Sequence, residues 1–197
     1  MRKIILCVAM VFVALFSTSS AQEIPNTLTI NMAKSNVGFK AKKMAFVGVE
    51  GSFSTYSGKV ALASISQHNA ESIIITELSG TIVVDSVQSG NSTRDEHIRG
   101  EVLFDSKKYP EIVFTMTQYE PLGATQNGQY EGRVYGIMQA HGIAKEVVLS
   151  SHLTKGADTY TLSLNGKVDV KKDFGMESYA IMNNTVTIDV VLVLEER

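Results

Sequence analysis

The sequence predicts an all-β chain, an antiparallel meander of eight or nine strands broken by one short helix near residues 94–99. Three observations carry this. Apolar and polar residues alternate with a period of two over long stretches, β-branched and aromatic residues crowd into the same stretches, and short turns rich in Gly and Asn separate them. Strands in that number suit either a closed barrel or a sandwich.

The N-terminus stands apart from that pattern. Met1-Arg2-Lys3 precedes an apolar run from Ile4 to Phe16 and then the small residues Ser17 to Ala21, which is the order of a secretory signal peptide. Ser19 and Ala21 put small side chains at the third and first positions before a cut, so residues 1–21 are expected to be removed. An apolar run this short does not reach the roughly 20 residues of a membrane-spanning helix. Cys7 lies early in the run, away from the cut, and does not mark a lipoprotein. It is the sole cysteine, so the mature chain is expected to lack disulfides, thiolate nucleophiles and cysteine metal ligands.

Residues 22–197 read as one domain. They contain three prolines, no low-complexity tract and no linker, and their length is ample for a single core. Once Arg2 and Lys3 of the 18 basic residues are gone, the remaining 16 face 20 acidic ones. No stretch concentrates Lys and Arg, so nucleic acid is not an expected partner.

Strand-like runs occupy residues 28–31, 36–42, 51–63, 72–87, 111–119, 130–140 and 143–153. Turns are expected at Gln126-Asn127-Gly128, His141-Gly142, Lys155-Gly156 and Asn183-Asn184. The clearest alternation places Tyr160, Leu162, Leu164, Gly166, Val168 and Val170 on one face and Thr159, Thr161, Ser163, Asn165, Lys167 and Asp169 on the other. Because it passes through Asn165-Gly166 without slipping, that pair reads as a kink or bulge, not a turn. The last run, Val186 to Leu194, repeats the pattern.

The helix is expected within Thr93-Arg94-Asp95-Glu96-His97-Ile98-Arg99-Gly100. Thr93 stands three residues before Glu96 in capping-box spacing, and Gly100 ends the segment. Arg94 and His97 would share a face, and Asp95 and Arg99 would pair.

No catalytic constellation is present. His68, His97, His141 and His152 lie on separate segments without metal-ligand spacing, and no serine sits in a Gly-x-Ser-x-Gly elbow. His141 reads as a turn residue and His68 as a loop residue. Neither an enzyme, a metal site nor a cofactor is expected. Two non-catalytic readings stay open: a barrel holding an apolar molecule, or a structural or partner-binding barrel with a packed interior. Gly136, Met138, Ala140, Met116 and Gly166, inward candidates beside Phe114 and Tyr160, favour the first, because small residues leave room and methionine adapts to varied apolar surfaces.

Particular blocks then suggest a family. Arg94-Asp95-x-His97, Leu103-Phe104-Asp105, Lys108-Tyr109-Pro110 and Phe114 together resemble the signature of the bacterial YceI-like lipid-binding family. Val37-Gly38-Phe39 followed by Gly51-x-Phe53 and Tyr56-Ser57-Gly58 resembles its opening hairpin. Gly136-x-Met138-x-Ala140-His141-Gly142-Ile143-Ala144-Lys145 resembles its inner hairpin, and Lys171-Lys172-Asp173-Phe174-Gly175-Met176 its penultimate motif. The resemblance spans about residues 27 to 195.

It implies an extended, lipocalin-like barrel of eight antiparallel strands around an elongated cavity for a polyisoprenoid, quinone-like or fatty-amide lipid. An eight-stranded barrel has room for one small ligand at most, which suits a slender chain. The expected ligand-binding residues are Phe39, Phe53, Arg94, His97, Phe114, Met138, Tyr160, Leu162 and Phe174. Arg94, His97 and Lys43 are the candidates for meeting a polar head. Lys43 and Lys171 depart from the residues usual in the family, His and Arg respectively, which alters any head-group contact made there. Export is expected to end in the periplasm, with secretion as the alternative. Neither monomer nor homodimer is selected.

Overall fold

The computed structural model describes residues 26–43, 47–67, 70–125, 128–177 and 182–196. The expected signal peptide, Cys7, His68, the Gln126-Asn127 part of one expected turn and the Lys43 side chain lie outside the described residues.

The alternating segments form eleven antiparallel strands: β1 (Asn26–Ile30), β2 (Asn36–Lys43), β3 (Val47–Phe53), β4 (Tyr56–Gln67), β5 (Ala70–Val83), β6 (Val87–Gln88), β7 (Glu111–Thr125), β8 (Gln129–Ala140), β9 (Ile143–Lys155), β10 (Thr159–Asp169) and β11 (Met182–Glu195). Their pairing order is β1-β4-β5-β7-β8-β9-β10-β11-β2-β3-β6, with β1 also bonded to β11. That extra pairing closes eight strands into a ring and decides for a barrel over a sandwich. The seam is short, with Thr29 and Ile30 opposite Glu195 and Leu194. Beside it the Asn31 side-chain amide donates to Glu195 Oε1 at 2.6 Å. The strands β2, β3 and β6 branch from the other half of the same edge of β11 and extend the wall beyond the ring.

Residues 51–63 do not form one strand. The chain turns at Ser54-Thr55, where Ser54 N donates to the Ser86 carbonyl at 3.1 Å and Thr55 N to Ser86 Oγ at 3.0 Å. The run 72–87 divides likewise into β5, a single 3₁₀ turn over Val84–Ser86, and β6. At Asn165-Gly166 the register with β11 runs unbroken, so there is no bulge. The glycine serves close approach instead, since a Cβ there would lie 2.4 Å from Leu149 Cδ2. Asn183-Asn184 is not a hairpin turn but the start of β11, beside a register shift between Met182 and Val186. The His141-Gly142 hairpin holds as expected: both residues have positive φ, 50° and 74°, as the two-residue turn between Ala140 and Ile143 requires.

Among the described residues two α-helices interrupt the barrel, where one was expected. The first, α1, spans Ser92–Arg99, and its cap is Asn91, whose side chain accepts from Arg94 N at 2.9 Å. Thr93 therefore lies inside the first turn; asparagine two residues earlier supplies the preferred cap. Asp95 and Arg99 do not pair. Asp95 accepts from Ser89 N at 2.9 Å, and Arg99 donates to the Asp85 carbonyl at 3.2 Å. The second helix, α2 (Val170–Phe174), is held between Asp169, which caps Lys171 N and Lys172 N, and Gly175 in the left-handed conformation at φ 66°.

Candidate ligand-binding cavity

Inward-facing side chains fill only part of the barrel. Val60, Val134, Leu153, Leu162 and Leu194 are 0% exposed and interlock across β4, β8, β9, β10 and β11 to form a solid end. One alternation further along the same strands, Gly58, Leu164 and Leu192 instead border open space. This space is a cavity of about 680 Å³, walled mainly by Val, Ile, Leu, Phe and Met. It is closed below by the solid end and rimmed by Asn91, Thr93, Arg94, His97, Glu177 and Asn183.

Aromatic rings laid against glycines help keep the wall open. A Cβ on Gly51 would stand 2.5 Å from Phe39 Cζ, and one on Gly136 would stand 2.4 Å from Phe114 Cζ. Phe39 and Phe114 therefore reach over bare backbone of the neighbouring strand, Phe39 directly opposite Gly51. The same arrangement recurs in the solid end, where the Tyr119 ring covers Gly132. Burial there pushes the Tyr119 phenol above its usual pKa. Towards the mouth the row continues, with Phe39 and Phe53 ring centres 5.7 Å apart and Phe53 and Phe104 at 6.4 Å, edge to face.

The mouth is built by α1 and α2. Ser89 is the hub: its Oγ donates to Asp95 and accepts from Arg94 Nε at 2.7 Å, while its carbonyl accepts from Arg94 Nη2. One edge of the guanidinium is thereby fixed, and no carboxylate lies within 4 Å of it among the described residues. Arg94 is half-buried at the rim, with His97 more exposed one turn on. Across the opening, His141 Nδ1 donates to the Phe174 carbonyl at 3.1 Å and packs its ring against Tyr109, centres 4.9 Å apart. That contact secures the end of α2, which places Phe174 (1% exposed) and Met176 (2%) in the wall.

Of the expected binding residues, Phe39, Phe53, Arg94, His97, Phe114, Met138 and Phe174 line this one cavity. Tyr160 and Leu162 do not. They have the inward parity read from the alternation, but they belong to the packed core at the solid end. Alternation reveals which face of a strand is apolar and says nothing about how far down the barrel the hollow extends. The reading also missed Ile82, Phe104, Ile112, Val168 and Met176 as wall residues. Phe104 and Met176 sit in the quoted family blocks and were within reach. Lys171 is exposed on α2, outside the wall. No three of His, Cys, Asp or Glu converge as metal ligands among the described residues.

A closed antiparallel β-ring with a one-mouthed apolar cavity defines a lipocalin-like barrel of the kind that encloses a small hydrophobic molecule. The chain belongs to the YceI-like domain family, whose model matches residues 28–194. Among its relatives, a UPF0312 protein of Shewanella oneidensis is 25% identical over 86% of this chain and 85% of its own length. The YceI protein of Campylobacter jejuni, a crystal structure, superposes with a TM-score of 0.60 at 28% identity, covering 85% of this chain and 98% of that one. A domain of Saccharophagus degradans described as polyisoprenoid-binding shares the fold with a TM-score of 0.65 at 18% identity, covering 88% of this chain and 100% of its own.

Proposed function

We propose that this protein is an exported, non-catalytic binding protein that holds one long-chain apolar molecule, of polyisoprenoid, quinone-like or fatty-amide type, inside its barrel. The observation that carries the reading is the 680 Å³ apolar cavity closed at one end and crowned by a fixed arginine. A chain burying several hundred Å² of apolar surface there gains on the order of 10 kcal/mol before ordering costs. Phe39, Phe53, Phe114, Met138 and Phe174 would contact the chain. The unengaged side of the Arg94 guanidinium, with His97, would meet its polar head. The description of the Saccharophagus domain supports a lipid of this class. The leader at residues 1–21 supports delivery to the periplasm, the compartment in which such a carrier would operate. A solid, partner-binding barrel is the weaker reading, because it gives the hollow no purpose.

Native mass spectrometry of the purified mature protein, followed by organic extraction, tests the proposal. One elongated apolar molecule per chain is the expected result. A high-resolution structure with a collapsed interior would overturn it.

A further inference from the structure

We propose that Gly80 opens a notch in the cavity wall that takes a methyl branch of the bound chain, so that the barrel distinguishes branched chains from straight ones. This rests on the lipid reading above and adds the position that senses the chain's shape. Facing the lumen, β4 and β5 carry three stacked cross-strand pairs: Tyr56 opposite Ile82, Gly58 opposite Gly80, and Val60 opposite Leu78. The upper and lower pairs present full side chains and the middle pair presents none. Successive layers on one face of a strand stand about 6.8 Å apart. The bare pair therefore leaves a recess one side chain deep, directly above the floor where Val60 is 0% exposed.

Other wall glycines are needed by the fold. A Cβ on Gly51 or Gly136 would strike the ring of Phe39 or Phe114, and one on Gly58 would stand 2.5 Å from the Ser79 carbonyl oxygen. Gly80 differs. A Cβ there would meet a single atom within 4 Å, the Ser57 carbonyl oxygen at 3.4 Å, which is an ordinary contact. Its φ is not positive, so any residue can adopt its backbone conformation. Neither sterics nor conformation calls for glycine here, although glycine weakens the interior of a strand. Phe114 stands directly opposite Gly80 on β7, yet its ring lies over Gly136 on β8 and leaves the recess uncovered. The space at Gly80 is that of the missing Cβ, a methyl group, and it opens on the lumen. A methyl projecting sideways from a hydrocarbon chain fills it, whereas a straight chain passes it by.

The test is a set of octadecanoic acids carrying one methyl branch, moved from the carboxyl half of the chain to the distal half, with straight nonadecanoic acid as the isomer of equal carbon count. Each is delivered from cyclodextrin and scored by displacement of a fluorescent fatty acid from the delipidated protein. With the carboxylate at Arg94 and the notch near the floor, a branch in the distal half should bind about fourfold more tightly than the straight isomer, the worth of one buried methyl. A branch in the carboxyl half should bring no such gain. Gly80→Ala puts the protein's own methyl into the notch and should abolish the preference, as should Gly80→Val. Because the fold does not need this glycine, Gly80→Ala should melt at or above the wild-type temperature. No preference for any branch position in the wild type overturns the notch, as does a preference that both variants keep or a clearly lower melting temperature of Gly80→Ala. Each of these leaves the lipid reading standing. Failure of every acid to displace the probe overturns the lipid reading itself.

Discussion

Gly51→Ala tests whether the hollow depends on rings lying against bare backbone. The added Cβ would stand 2.5 Å and 2.8 Å from two atoms of the Phe39 ring and 3.2 Å from the Gln88 carbonyl. The carbonyl belongs to a paired strand and can yield only slightly, so the ring must withdraw by about 1 Å, and the direction open to it is the lumen. A ring face of roughly 40 Å² moving that far takes about 40 Å³, the room of one to two methylenes, which corresponds to about 1.5 kcal/mol of lost chain burial or a tenfold weaker Kd. Fluorescent fatty acid titration measures the loss. Thermal unfolding, run alongside, confirms that the variant is folded. The double variant Gly51→Ala with Phe39→Leu should recover most of the affinity, because a smaller side chain no longer has to swing inward. Wild-type affinity in the folded single variant, or no recovery in the double one, would refute the argument.

The remaining predictions concern the head, the solid end and pH. Arg94→Ala should weaken a lipid with a polar head by about 1 to 3 kcal/mol while a plain hydrocarbon binds as before. Equal loss for both, with a lower melting temperature, would assign Arg94 to the Ser89 network alone. Leu153→Ala, well below the floor, should cost about 2 to 5 kcal/mol of stability by urea unfolding yet leave the affinity for a fluorescent fatty acid in place. A changed affinity in the folded variant would show that the hollow extends further than its lining residues indicate. Since burial holds the Tyr119 phenol above its ordinary value of 10.0, its contribution is complete below pH 10 and declines as the pH rises through the folded value. Urea midpoints between pH 8 and 11 should fall at the alkaline end, less steeply in Tyr119→Phe.

The barrel was legible because alternation is a direct record of one-sided burial. Val186, Ile188, Val190 and Leu192 were placed on one side of their strand by sequence alone, and all four line the cavity. Boundaries were less legible where a distant partner decides them. Ser54-Thr55 breaks a good strand pattern because Ser86 binds both backbone amides, a contact across 31 residues or more that no local pattern announces. Helix α2 was overlooked although Asp169 and Gly175 flank it as cap and terminator. Val170 was read as the end of the preceding apolar alternation, and the four residues after it are too few to display a helical period. In the cavity, residue type and motif brought Phe39, Arg94 and Phe174 to one place. Tyr160 and Leu162 were misplaced because depth along a barrel depends on the register of all eight strands together.

The division of the lumen into a solid end and a hollow one has a thermodynamic consequence for the protein's lifetime. Beyond the floor, the core is permanent; above it, under the proposed binding role, the side chains around the cavity find their remaining partner in a bound molecule. Whatever occupies that space binds the folded chain and not the unfolded one, so at a hundredfold excess over Kd it adds about 2.7 kcal/mol to the folding free energy. The strands around the mouth would open to proteases more often when vacant than when loaded. Under the proposed binding role, turnover of the chain would follow the supply of its ligand, with unloaded copies cleared first.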